Sequence, residues 1–137
     1  MRAMARTTIE DLLATARARL DRVTVEDLSE IMRDGDALLV DIRGDAQRAA
    51  DGVIPEAIFH PRNVLEWRAD PTSGHDDPRL STDLSRRVIV VCNEGYQSSL
   101  AAATLQDLGF SNATDLVGGF QAYRSAGLPV APDSARS

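Results

Sequence analysis

Apolar and polar positions change period several times along the chain, and each change marks an element. Ile9, Leu12, Leu13, Ala16 and Leu20 recur at helical spacing. Thr8 stands where an N-cap belongs, with Asp11 three residues on as the acid of a capping box. In "RVTVEDLSEIMRDGD" a short strand ends and a helix follows, capped by Thr24 and striped by Leu28, Ile31 and Met32. Gly35 stops it. The unbroken apolar run "ALLVDI", 37–42, predicts a strand buried on both faces, as in a parallel sheet.

The same alternation continues to the end. Residues 45–52 read as a short helix closed by Gly52, and 56–60 as a short strand stopped by Pro61. A helix around Leu65 and Trp67 gives way to a polar loop with two prolines and a glycine. A loop of that length is expected to be mobile or functional. "VIVV", 88–91, is the strongest central strand, and a helix follows over 98–108. "ATDLVGG", 113–119, holds a strand and a Gly-Gly turn, and 120–127 form a last helix ended by Gly127. Strands and helices alternate five times, which predicts an α/β fold with a parallel sheet covered on both faces. The organisation expected is a helical extension over 1–20, one domain over 21–130 and a frayed tail over 131–137. Trp67 and Tyr123 fall on apolar helix faces and are expected in the core. Glu10, Asp11, Arg17 and Arg19 suit a solvated outer face of the first helix.

Composition narrows the function. The net charge of −6 offers no basic face to nucleic acid. All 15 basic residues are arginine, so no lysine can serve as Schiff base or general base. One cysteine forms no internal disulfide, and no apolar run approaches the ~18 residues of a membrane span. The charge-interrupted first 20 residues do not read as a signal peptide. A cytoplasmic protein is expected.

The one cysteine, Cys92, directly follows the central strand, and ligands of open α/β sheets bind at the carboxyl ends of strands. Asn93, Glu94, Gly95, Tyr96, Gln97 and Ser98 lead from it into a helix. A tight loop there turns successive N–H groups inward as an anion nest, and the helix dipole adds to the field. Both favour thiolate over thiol. Gly95 permits the backbone angles required, and the Ser98 and Ser99 hydroxyls are expected to cap the helix and donate to a bound sulfur. Tyr96 is placed at the pocket mouth or in partner contact. His60, at the carboxyl edge, either lines the pocket or is simply hydrogen-bonded, and His75 is expected to be exposed. The spacing of His60, His75 and Cys92 matches no metal motif.

Four segments in order resemble the rhodanese-like family: "LLVDIR", "DGVIPEAI", "VVCNEGYQSS" and "LQDLGFSNATDLVGGFQAYRSAGLPV". The resemblance spans about residues 21–130 and implies a five-stranded parallel sheet with helices on both faces, plus the extra N-terminal helix. It implies sulfur transfer in two covalent steps: Cys92 takes a sulfane sulfur as a persulfide and passes it to a thiol or cyanide. No metal or organic cofactor is required. The alternative is a rhodanese-like binding or regulatory module with little turnover, for which a partner protein replaces the small donor. A monomer or homodimer fits either.

Four departures bear on the substrate. Val53 stands where the family has His, Glu56 where it has Gly, and Gln97 where its loop commonly has Arg, while Glu94 adds negative charge. Thiosulfate is therefore expected to be a poor donor. Asp41 and Arg43 are further candidates, Arg43 either as a cation near the site or as half of a structural ion pair. The phosphatase pattern Cys-x5-Arg is absent, because Ser98 occupies the arginine's place.

Overall fold

The computed structural model of the chain describes residues 6–133. Four parallel strands form the sheet in the order β2 (Ile58–Phe59), β1 (Ala37–Asp41), β3 (Arg87–Val91), β4 (Ala113–Asp115). β1 and β3 pair over five residues, from Ala37 opposite Arg87 to Asp41 opposite Val91. The expected fifth strand is reduced to one parallel bridge between Val23 and Leu116. The reason is local: Thr24 already accepts the Asp27 N–H as N-cap of α2 (Val25–Arg33), so no extended chain is left to pair.

Because side chains alternate along a strand, β1 and β3 feed two cores. Leu38, Val40, Val88 and Val90 pack with Ala101, Ala102 and Leu105 of α6 (Gln97–Asp107). Leu39, Ile89 and Val91 pack with Leu28 of α2 and with Phe120 and Tyr123 of α7 (Gly119–Ser125). Each large apolar side chain so buried contributes roughly 1.5–3 kcal/mol. Both faces of the central strands are covered, which is why their sequences read as unbroken apolar runs.

α1 (Ile9–Ala18) packs on α6. Its capping box forms as expected: the Asp11 N–H donates to Thr8 Oγ1 at 3.1 Å and the Thr8 N–H to Asp11 Oδ2 at 3.0 Å. Only Leu13 and Ala16 of its apolar stripe are buried; Ile9 and Leu12 face solvent. Arg17 does not lie on the outer face. It is half-buried and reaches across to the loop after β3.

Two further expectations change. Trp67 is 56% exposed. The short helix α4 (Leu65–Ala69) buries Leu65 and Ala69, and a residue two positions on from Leu65 lies about 200° around the axis. Tyr123 is buried as expected, its hydroxyl donating to the Pro129 carbonyl at 2.6 Å.

The polar segment between β2 and β3 is ordered by its own side chains. The turn η1 (Arg62–Val64) leads into α4; Ser73 Oγ then donates to the Trp67 carbonyl, and Asp77 caps α5 (Pro78–Ser81) while holding His60 Nε2 at 2.7 Å. Leu80 anchors the segment in the first core. α3 (Asp45–Asp51) closes at Gly52, and Val53 and Ala131 exchange two backbone hydrogen bonds. Ala131, placed in the expected tail, is thereby tied to the domain; residues 1–5 and 134–137 lie outside the described residues.

Trp67 is the only tryptophan, so its emission reports its surroundings directly. Acrylamide is expected to quench it readily in the native protein. Trp67→Ala is expected to shift the free energy of urea unfolding by no more than about 0.5 kcal/mol, the range of exposed substitutions.

Candidate active site

Cys92 follows β3 at the carboxyl end of the sheet and is 6% exposed. Two backbone amides donate to its sulfur: Gly95 N–H at 3.1 Å and Ser98 N–H at 3.3 Å. The second belongs to the first turn of α6, so the eleven-residue helix directs its positive end at Sγ. The N–H groups of residues 93, 94, 96 and 97 find no acceptor among the described residues. Of the six consecutive amides from 93 to 98, two thus serve the sulfur and four are left without an acceptor.

The loop takes this shape because a second loop presses against it. Phe120 N–H donates to the Cys92 carbonyl at 2.8 Å, and Gln121 N–H to the Asn93 carbonyl at 3.0 Å. The first turn of α7 therefore binds the loop's oxygens on one side and leaves its amides to the other. Such contact needs glycine. A Cβ on Gly119 would lie 2.5 Å from the Cys92 carbonyl oxygen, and one on Gly95 would lie 2.7 Å from the Gly118 nitrogen. Both residues also adopt positive φ, +62° and +88°.

Ser98 acts differently from expectation. Its hydroxyl donates to Asp115 Oδ2 at 2.7 Å, as does that of Ser99, so neither caps the helix nor reaches the thiol. Asp115 ends β4 fully buried, and a carboxylate there needs several donors. Arg22 supplies two more, at 2.8 and 3.1 Å. What Ser98 offers Cys92 is its amide.

Asp41 and Arg43 form a buried ion pair. Arg43 donates to both carboxylate oxygens, at 3.1 and 2.9 Å, and to the Gly52 carbonyl at 2.8 Å. Its guanidinium stacks 3.7 Å from the centre of the Phe120 ring. Arg43 is thus half of a structural ion pair and also borders the cavity over Cys92, with its Nη1 unpartnered among the described residues.

A cavity of about 560 Å³ opens over Cys92. Asn93, Glu94, Tyr96 and Gln97 line one side; Ile42, Arg43, Gly44, Gln47, Pro61, Arg62 and Asn63 line the other. Arg62 is paired with Glu66, both contacts at 2.8 Å. Glu94 is exposed at the mouth and meets no cation among the described residues. Tyr96 is 60% exposed at the rim, with the Arg17 guanidinium 5.3 Å from its ring centre. No residue of 69–86 contributes to the wall, so that loop does not fold over the site. His60 is also outside the wall; burial lowers its pKa against the opposing pull of Asp77. His75 is exposed. Among the described residues no three His, Cys, Asp or Glu side chains cluster as metal ligands.

The far wall and the supports behind the loop were not legible in sequence. Gln47, Arg62 and Asn63 follow the ends of β1 and β2, a position that marks them as candidates. Asp115 ends β4 in the same way. Arg17 carries no such signal, since only the packing of α1 on α6 brings it near.

Comparison with known proteins gives the family. Residues 24–126 match the model of the rhodanese-like domain. A sulfurtransferase of Allochromatium vinosum is 34% identical over 116 residues, covering 83% of this chain and 98% of its own. The thiosulfate sulfurtransferase GlpE of Actinobacillus succinogenes is 32% identical, covering 79% and 87%. A structure from Rhodopseudomonas palustris, of unknown function and described as a possible tyrosine phosphatase, superposes with a TM-score of 0.84 at 31% identity, covering 95% and 98%. The chain belongs to the rhodanese-like domain family, and within it to the rhodanese-type sulfurtransferases.

Gly119→Ala tests the seat of the loop. The added methyl forces the Cys92 carbonyl aside at a strained backbone angle, and the variant is expected to lose at least about 2 kcal/mol in denaturant unfolding. Its loss should exceed that of Gly127→Ala, whose Cβ would meet open space.

Proposed function

We propose that Cys92 carries the transferred sulfur as a persulfide. The thiolate attacks the sulfane sulfur of a donor; the new S–S bond forms as the donor's bond to that sulfur breaks, and the donor departs with the electron pair. A thiol or cyanide then attacks the outer sulfur, and Cys92 leaves as thiolate. The observation that carries this reading is the amide set of the Cys92 loop: two N–H groups on the sulfur and four more without acceptors among the described residues. An anionic outer sulfur needs such preorganised donors, and the cavity above gives it room.

The wall chemistry favours donors of low charge. Arg43 and Arg62 are both engaged by carboxylates, and the Glu94 carboxylate stands at the mouth. A thiosulfate dianion would meet repulsion there, and both wall arginines already answer to an acid, although relatives carry its name. A persulfide monoanion or a neutral polysulfide fits better. Phosphate monoesters fare no better than thiosulfate, since Gln97 and Ser98 offer no guanidinium to grip them. A single thiol kept reduced suits the cytoplasm.

Intact mass of the purified protein, before and after sulfane-sulfur donors and after reductant, tests the carrier. A gain of one sulfur, removed by reductant and absent in Cys92→Ala, is expected; an alkylatable thiol that no donor loads would sink the reading. Glu94→Gln is expected to raise kcat/KM for thiosulfate about three- to tenfold, the value of one partly screened charge near the site, and to change that for a neutral polysulfide less than twofold.

A further inference from the structure

The Gly95 carbonyl accepts two charged donors. Arg17 Nη2 reaches it at 2.8 Å and Arg22 Nη2 at 3.0 Å. Both arginines precede the segment that matches the family, residues 24–126, and Arg17 lies on α1. Arg22 is also bound to Asp115, but the Arg17 guanidinium meets no carboxylate among the described residues. Its contacts are the Gly95 carbonyl, Ser99 Oγ at 3.1 Å and the Tyr96 ring. A half-buried cation thus gives its hydrogen bonds to the loop that holds the thiol.

From this we infer that Arg17 is a positioning residue for Cys92, and that α1 is part of the catalytic apparatus. Two effects follow from the geometry. With its carbonyl held outward by the two arginines, Gly95 keeps its own N–H on Sγ at 3.1 Å. All described peptides are trans, so the Tyr96 N–H points opposite to the Gly95 carbonyl, away from the arginines. That N–H has no acceptor, and a cation on the carbonyl of its own peptide polarises it into a stronger donor. Positive charge that the loop lacks at Gln97 thereby acts through the backbone from behind. The catalytic consequence rests on the sulfur-transfer reading; the hold on the loop does not.

The test compares Arg17→Ala and Arg17→Lys with a control at the C-cap of the same helix, Arg19→Ala, whose partner is the exposed Asp107. Hydrogen–deuterium exchange of the peptide over 92–99 is expected to speed up about fivefold in Arg17→Ala with β3 protection unchanged. With a persulfide donor, kcat is expected to fall about tenfold while KM moves less than twofold, because Arg17 holds the loop from behind and is not itself a residue of the cavity wall. Arg17→Lys should recover part of kcat, and Arg19→Ala should match the unaltered protein. Unchanged loop exchange in Arg17→Ala would overturn the inference, and so would a loosened loop with full kcat. If Arg17→Ala loses β3 protection as well, Arg17→Lys decides: a lowered kcat at constant KM supports the inference, and an unaltered kcat overturns it. If no donor loads Cys92 in the unaltered protein, the sulfur-transfer reading fails separately, and loop exchange still reports whether Arg17 holds the loop.

Discussion

Two peptide loops meet without side chains between them, and the site depends on that contact. Gly95 and Gly119 let the turn after β3 and the start of α7 approach to backbone distance. The α7 amides then take the carbonyls of Cys92 and Asn93. Once those oxygens are bound on one side, the loop amides are left for the thiol and for whatever anion joins it. A methyl group at either contact would separate the loops and scatter the amides.

Behind this contact lies a buried polar cluster. Asp115 collects the Ser98 and Ser99 hydroxyls and both arms of Arg22, which ties the end of β4 to the first turn of α6. Four hydrogen bonds thus reach the carboxylate, as its full burial demands. A second buried pair, Asp41 with Arg43, closes the end of β1 and stacks on Phe120 of α7. Its value against an apolar replacement is small or negative by general experience, but each half left alone would be costly. The two arginines that border the cavity over Cys92, Arg43 and Arg62, are each paired with a carboxylate, and Glu94 stands at its mouth.

Much of this was legible along the chain. Helices and strands announced themselves by period, because β1 and β3 are covered on both faces and α1 has a capping box from Thr8 to Asp11. Cys92 and its loop were legible because sheet topology places any residue just after a central strand at the ligand end. The resemblance to the rhodanese-like family rests on the same residues. Less legible were elements whose apolar pattern was too short to carry phase. Trp67 sits in a five-residue helix, where two positions decide which face is buried, and the segment at Val23 was too short to pair beyond one bridge.

By itself, then, the sequence determined the order of elements, the position of the thiol and the glycines that let the loops meet, because period, turn chemistry and chain order are local properties. Tertiary structure alone decided which groups serve the thiol. It turned the Ser98 hydroxyl to Asp115 and left the amide for sulfur. It directed Arg43 inward and brought Arg17 from a helix 75 positions before Cys92 onto the Gly95 carbonyl. Those outcomes depend on competition among buried charges for a few donors, and that competition exists only once the chain has closed around them.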